Sequence, residues 1–250
     1  MTCFVLVSNF MFFLIVFFSK IIFTIYQNEI KITLLSEKMR DCGCYYLVDV
    51  KQGSSDWLFM RKGRITMSNL GKIVGHAPYC KMEGQELADC LKGIKKEEFS
   101  EQAKERMNLG NVYEGPVRDY LAKKLGSEIK ETGFAIWKKD PRFGASLDGI
   151  INDEVGIEIK CPQRMYKPIT EYLERKERGE ATDDEIKHIW KSQYDQVIGN
   201  GVITGRKWMI FCVYSILDKK IFYQKVKVDY DYWNTFLYPK ACEFYDKYMV

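Results

Sequence analysis

Ser146-Leu147-Asp148-Gly149-Ile150-Ile151 and, a short turn later, Gly156-Ile157-Glu158-Ile159-Lys160-Cys161-Pro162 decide the reading of this chain. Both runs are apolar and rich in β-branched residues. They predict strands over Gly144–Ile151 and Gly156–Cys161, with Gly149 and Asn152-Asp153 supplying turn chemistry between them. Asp148 falls beside the turn of this hairpin. Side chains alternate along a strand, so Glu158 and Lys160 share one face while Ile157, Ile159 and Cys161 take the other. An unpaired charge inside an apolar strand is costly, so a carboxylate and an ammonium there call for a reason. Pro162 cannot donate to a ladder, and the chain leaves the sheet at that point. Two carboxylates and an ammonium facing one place suit metal-dependent phosphodiester hydrolysis. Magnesium takes hard oxygen ligands, commonly one or two carboxylates plus water and phosphate. Such a metal acidifies bound water and neutralises charge building on the phosphate. Lys160 can orient that water, and can move its proton if its pKa is lowered. The plain alternative is an exposed hairpin carrying an ordinary charge pair.

Outward from the hairpin, Ile129–Trp137 predicts a strand before it. Trp208–Tyr214 predicts a central strand, with Lys220–Val228 as its neighbour. Helices are expected over Asn69–Val74, with Thr66 or Ser68 as N-cap, over Glu83–Leu91, and from about Ser100 to Leu125. Pro116 lies inside the last of these and predicts a kink or a fresh helix start. Arg175–Glu185 reads as a charged surface excursion, and Glu185–Asn200 as a helix. Tyr230–Tyr248 reads as an aromatic C-terminal helix whose rings belong to the core or to a subunit contact. Helices alternating with strands give a mixed sheet flanked by helices.

The chain has 250 residues, 46% hydrophobic and 29% charged, with net charge +4. This composition suits a globular α/β domain, and the mild positive charge permits a nucleic-acid partner without arguing for one. Eight cysteines are present without a CxxC pair, and there are two histidines. A structural zinc site needs paired thiolates or imidazoles, and Cys42-Gly43-Cys44 is too isolated to make one. Reduced thiols in a reducing, intracellular compartment are the expectation.

The N-terminus stands apart. Cys3–Tyr26 is apolar and aromatic, with Lys20 its single charge, and it is long enough to span a bilayer, for which about 20 residues suffice. Three readings compete for residues 1–38: a membrane anchor, a signal peptide, or an upstream extension of a reading frame that starts at Met39. The signal peptide lacks a basic n-region and a clear cleavage site. Residues 39–250 read as a single domain.

The segment from Gly156 to Pro162 resembles the G-[IL]-E-[IL]-K-C-P signature of the lambda exonuclease/YqaJ family of PD-(D/E)XK nucleases. Three further segments follow the family's order. The stretch from Trp57 to Ser68 is similar to its W-x3-R-x-G-x-[IL]-T-[AG]-S block. Gly110-Asn111-Val112-Tyr113-Glu114 resembles its G-x3-E helix, and Gln196–Trp208 resembles its Q-V-Q…V-T-G-x-x-W block. The resemblance covers the chain from Asp56 to Tyr214. It implies an α/β, restriction-endonuclease-like fold, with a mixed sheet of about four or five strands.

It also implies roles. Glu114, Asp148 and Glu158 would hold Mg2+, for which Mn2+ can substitute, with the Ile159 carbonyl as a backbone ligand. Lys160 would serve the attacking water, and Gln196 would position Lys160 or the water. Arg61 and Ser68 would hold the phosphate of a DNA end. The chain departs from the family pattern in having Leu147 where proline often precedes the metal-binding Asp, Ile198 in place of the second glutamine, and Gly115-Pro116 directly after Glu114. Read without the resemblance, Glu114 is a solvent-facing carboxylate, Arg61 and Arg64 form a basic turn, and Gln193 competes with Gln196. The implied activity is 5′-to-3′ exonuclease action on duplex DNA ends, by two-metal in-line attack. The implied partners are a single-strand annealing protein and further copies of the chain in a ring-shaped trimer, in viral or host cytoplasm or nucleus. An endonuclease of the same core, junction-resolving or restriction type, is the first alternative. The second is an inert DNA-end-binding or membrane-anchored scaffold, against which the intact Asp148, Glu158 and Lys160 set argues.

Overall fold

The computed structural model describes residue 31 and residues 33–250. The hydrophobic stretch Cys3–Tyr26, with its three competing readings, lies outside the described residues. Among the described residues no helix is long and apolar enough to cross a membrane. Residues 1–39 and 40–250 are separate compact units.

Among the described residues nine strands form two sheets. The first orders β1 (Met39–Asp41), β2 (Tyr45–Val48), β4 (Phe134–Trp137), β5 (Phe143–Ala145) and β3 (Ile65–Thr66) side by side. The second orders β6 (Gly149–Ile150), β7 (Val155–Lys160), β8 (Trp208–Ser215) and β9 (Lys220–Lys227). The expected single sheet is therefore two, and the expected strand Gly144–Ile151 is divided between them. Its first part pairs with β4 in one sheet, its last part pairs with β7 in the other, and Ser146-Leu147-Asp148 crosses between. The expected strand Ile129–Trp137 shortens to β4, with Lys130 making only an isolated bridge to Ile150.

The second sheet is mixed. Strand β7 runs antiparallel to β6 and parallel to β8, and β8 runs antiparallel to β9. Strand β8 is internal, as its apolar run predicts. A parallel pair needs a long crossover, and here the chain between β7 and β8 forms α5 (Lys167–Glu177), α6 (Ile186–Ile189) and α7 (Lys191–Ile203). Helix α5 occupies part of the expected surface excursion; it buries Ile169 and Tyr172, one turn apart, while its charges face out. The expected helix Glu185–Asn200 is broken at Trp190, whose φ of −137° is not helical.

Within residues 40–250, four helices precede the crossover: α1 (Ser55–Arg61), α2 (Met67–Ile73), α3 (Gly84–Lys92) and α4 (Glu101–Leu125). Thr66, not Ser68, is the N-cap of α2. Helix α4 runs unbroken through Pro116, so no fresh start occurs there. The carbonyl that Pro116 leaves without its N–H partner belongs to Val112, an exposed residue that water can reach. The C-terminal segment winds through a π-helical turn at Trp233–Leu237 into α8 (Tyr238–Tyr248), with a proline in the first turn of α8. Trp233 and Phe244 are buried with Leu237, so these rings serve the core. The seven cysteines of the second unit are all free thiols.

Two cores flank the second sheet. Alternate residues of β8 divide between them: Met209, Phe211 and Val213 enter the larger core with Val197 and Ile198 of α7. Ile210 and Cys212 enter the smaller one with Ile157, Ile159 and with Val117 and Leu121 of α4. Helices α2 and α7 pack against each other at very short range. A Cβ on Gly71 would come within 2.7 Å of Ser192, so only glycine fits there. Strand β7 thus lies between a helix that carries Glu114 and a helix that carries Gln196.

Candidate active site

The register of the β6–β7 pair organises the site. Gly149 lies across from Ile157 and Ile150 across from Gly156, and the Asp148 N–H donates to the Ile157 carbonyl at 3.1 Å. Continuing one step places Asp148 across from Glu158. Asp148 is therefore at the far end of the hairpin from its turn, not beside it. The turn is closed instead by the Asn152 side chain, which accepts from the N–H groups of Glu154 and Val155.

Glu158 is buried on the face of β7 opposite Ile157 and Ile159, with a relative exposure of 1%. A carboxylate there must be met by donors, and three are in place. Lys160 Nζ lies 2.5 Å and Gln196 Nε2 2.6 Å from Oε1, and Asn200 Nδ2 lies 2.7 Å from Oε2. Gln196 and Asn200 are one turn apart on α7, which is why both reach the same carboxylate. Gln196 thus holds Glu158 rather than Lys160. Gln193, its competitor in sequence, makes no such contact, and its buried Oε1 has no partner.

Asp148 Oδ2 accepts the Ile159 N–H at 2.6 Å, so the backbone between Glu158 and Lys160 is pinned to the opposing strand. Glu114 enters from α4. Arg118, one turn on, donates to Glu114 Oε1 at 3.3 Å and to the Asp148 carbonyl at 2.7 Å, and pairs with Glu131. It ties the helix to the strand that carries Asp148.

The electrostatics show crowded negative charge. Burial and the neighbouring Asp148 push Glu114 up to about 7, against the pull of Arg118 and Lys160. Burial and the Asp148 charge push Glu158 up to about 8. Asp148 is raised by burial, against the pull of Lys160 and the Ile159 N–H. Burial works to lower Lys160, but Glu158 and Asp148 outweigh it and raise the ammonium above its ordinary value. Lys160 accordingly holds its proton here, and the condition for proton transfer by a lowered pKa is not met. Burial, with Glu114 and Asp148, also pushes the Cys161 thiol up to about 12, which keeps it protonated and unreactive.

Arg61 and Ser68 form a second cluster. Arg61 donates to Ser68 Oγ at 2.8 Å and lies over the Trp57 ring at 4.2 Å. Burial lowers its guanidinium to about 10. Trp57 Nε1 donates in turn to Ser146 Oγ at 2.7 Å, two residues before Asp148. The α1–α2 segment is thereby anchored to the strand crossing that delivers Asp148.

The donor set fits a divalent cation. Glu114, Asp148 and Glu158 supply hard oxygens, and their mutual repulsion is the condition that a cation relieves. They do not close into a cage on their own: among the described residues no group of three or more His, Cys, Asp or Glu side chains is gathered at ligating distance. Magnesium does not require one, since it keeps several waters and uses one or two carboxylates plus phosphate.

Asn200 and Arg118 were not foreseen from sequence. Asn200 carried a usable signal, its spacing of four from Gln196 on a predicted helix. Arg118 stands four after Glu114 and was readable as an i,i+4 partner.

Comparison with known proteins bears on the whole segment. The model of the YqaJ-like viral recombinase domain matches residues 56–207. An alkaline exonuclease (LHK-Exo) from Laribacter hongkongensis superposes with a TM-score of 0.57 at 22% identity, covering 77% of this chain and 91% of that one. The same enzyme in complex with dAMP gives the same figures. A phage-related exonuclease from Haemophilus somnus 129PT superposes with a TM-score of 0.51 at 15% identity, covering 73% and 93%. No curated protein matches as a relative. These likenesses share the α/β, restriction-endonuclease-like fold.

Proposed function

This chain belongs to the YqaJ-like viral recombinase domain family, and from that premise we propose that it is a divalent-metal-dependent DNA exonuclease. It hydrolyses phosphodiester bonds from duplex ends, in the 5′-to-3′ direction, and serves recombination or DNA processing together with a single-strand annealing protein. The observation that carries the reading is the buried Glu158, across from Asp148, with Lys160 2.5 Å away on the same strand. The likeness to an alkaline exonuclease and to a phage-related exonuclease supports it.

Glu114, Asp148 and Glu158 would hold Mg2+, with Mn2+ as a substitute and the Ile159 carbonyl as a further oxygen. When bound, the metal supplies an acidified water and a counter-charge for the phosphate. The rest falls to the chain. Lys160 keeps its proton and orients the attacking water as a donor. Gln196 and Asn200 fix the Glu158 carboxylate, and the Ile159 N–H fixes Asp148. Arg61, stacked on Trp57, is pre-set to hold a terminal phosphate together with Ser68. Phosphate contacts carry no sequence information, so sequence preference is low.

The test is incubation of the full chain with end-labelled linear duplex and with covalently closed circles, with and without magnesium. The reading expects metal-dependent loss of linear DNA alone. Cutting of circles supports an endonuclease instead, and folded protein that cleaves neither is a binding scaffold.

Two substitutions probe the supporting residues. Asn200→Ala removes one of three donors to a buried carboxylate, and kcat should fall about tenfold, the equivalent of one hydrogen bond to a charged group. DNA affinity should not change; an unaltered kcat removes Asn200 from the account. Arg61→Ala should weaken binding to 5′-phosphorylated ends by about tenfold or more while leaving unphosphorylated ends untouched. Equal losses on both kinds of end, read by fluorescence anisotropy in chelator, would contradict a phosphate role.

A further inference from the structure

Arg118 has two carboxylates in reach and divides unequally between them. It follows Glu114 by one turn of α4, the spacing at which a glutamate and an arginine pair along a helix. Their hydrogen bond is nonetheless a single long one, from Nη1 to Glu114 Oε1 at 3.3 Å. The same nitrogen donates at 2.7 Å to the Asp148 carbonyl. Nη2 pairs with Glu131, which lies outside the helix. A bidentate pair would occupy both oxygens of Glu114. Here the guanidinium is turned from that arrangement, one nitrogen on a main-chain carbonyl and the other on Glu131.

The backbone presents Glu131 to that cation. On one side of it, Lys130 exchanges two backbone hydrogen bonds with Ile150, at 2.8 and 2.9 Å. On the other, Thr132 Oγ1 donates to the Leu147 carbonyl at 3.2 Å. The segment is thus fastened at both neighbours of Glu131 to residues that flank Asp148 and Gly149. Gly149 makes the room: a Cβ there would come within 2.4 Å of Ile129 and 3.5 Å of the Arg118 stem. The Glu131 side chain is 70% exposed and that of Arg118 12%, so a solvent-side carboxylate serves a nearly buried cation. The charge balance gives the pair a consequence. With Glu131 neutralising Arg118, the carboxylates of Glu114, Asp148 and Glu158 are set against the single ammonium of Lys160. The site keeps the excess negative charge that a divalent cation answers. Without Glu131 the guanidinium can close on Glu114, and its charge stands unopposed beside the metal ligands.

We infer that Glu131 is a positioning residue for the metal site: by holding Arg118, it leaves the Glu114 carboxylate open to a divalent cation. It acts through Arg118 and is not itself a ligand. The inference rests on the reading of the carboxylate cluster as a metal-dependent nuclease centre.

The experiment titrates the full chain with Mn2+ alone at low salt, followed by electron paramagnetic resonance. Glu131→Gln should bind manganese about five- to tenfold more weakly, the order expected when a divalent ion meets one more positive charge across a few water-screened ångströms. Its melting temperature in chelator should stay within about 2 °C of wild type, because the position is exposed. In cleavage assays the magnesium concentration for half-maximal rate should rise by the same factor, and the wild-type rate should return at saturating magnesium. Glu128→Gln removes a nearby carboxylate that is 77% exposed; screening should keep its manganese affinity within about twofold of wild type. The double variant Arg118→Met/Glu131→Gln restores the charge count and should bind manganese more tightly than Glu131→Gln. Equal affinity in wild type and Glu131→Gln, an equal loss in Glu128→Gln, or a double variant no better than the single would each overturn the role of Glu131 and leave the nuclease reading standing. Wild-type protein that binds no manganese, alone or with a duplex end, would remove the metal reading and this role with it.

Discussion

Lys160→Ala is expected to lower the rate of DNA-end cleavage by on the order of 10² to 10³, the range lost when one positioned hydrogen-bond donor is removed from a reaction centre. The loss should appear in kcat, because Lys160 faces Asp148 and Glu158 rather than a phosphate cradle. Its ammonium is raised, not lowered, by those carboxylates, so it acts as a charged donor. Raising the pH from 7 to 9 should therefore reveal no gain in activity from its deprotonation. Lys160→Arg separates charge from geometry. It keeps the positive charge, but its rigid fork cannot take the place of a compact ammonium 2.5 Å from Glu158, and it should be nearly as impaired as the alanine variant. Full activity in the arginine variant would reduce Lys160 to a general counter-charge. Both proteins should retain DNA-end affinity in chelator, which distinguishes a chemical defect from misfolding.

Glu158→Gln should do two opposite things: abolish metal-dependent cleavage and stabilise the fold at alkaline pH. The sign follows from linkage. Glu158 is raised from 4.5 to about 8 in the folded protein. Its contribution to stability is thus fully present below pH 4.5 and lost as pH rises through 8, where the folded state must carry a buried anion. Glutamine removes that loss, and the surroundings accept it. Its carbonyl oxygen keeps the contacts to Lys160 and Gln196. Its new N–H group meets Asn200, whose Oδ1 is buried without a partner and is brought into place by an amide flip. In chelator at pH 9 the variant should melt higher than wild type, by about 2–4 °C for each kcal/mol removed, and the difference should vanish near pH 4.5. Magnesium should raise the wild-type Tm and leave the variant's unmoved. A variant less stable than wild type at pH 9 would mean that the buried carboxylate is a net stabiliser.

Much of this site was legible in the chain because it rests on local rules. Alternation along one strand puts Glu158 and Lys160 together, and the structure keeps them 2.5 Å apart. The i,i+4 rule puts Gln196 and Asn200 on one side of α7, yet only Gln196 was singled out, since a lone asparagine on a helix reads as surface. What local rules do not report is partnership. The apolar run Gly144–Ile151 shows burial at both ends but not that its ends join different sheets, so a reading of it as one strand puts Asp148 beside the turn. The charged run Arg175–Glu185 hides the last turn of a helix that begins at Lys167 and needs only Ile169 and Tyr172 as anchors. At Pro116 the fresh helix start does not occur, because the Val112 carbonyl that loses its N–H partner belongs to an exposed residue and the helix continues.

The most direct measurement is single-turnover release of label from an end-labelled linear duplex by the full chain in magnesium, beside Asp148→Asn. The account predicts release by the wild-type protein that stops on chelation and is absent from the variant, with duplex ends still bound by both. Release at equal rates by the two proteins would place the chemistry elsewhere and contradict the assignment of Asp148, Glu158 and Lys160.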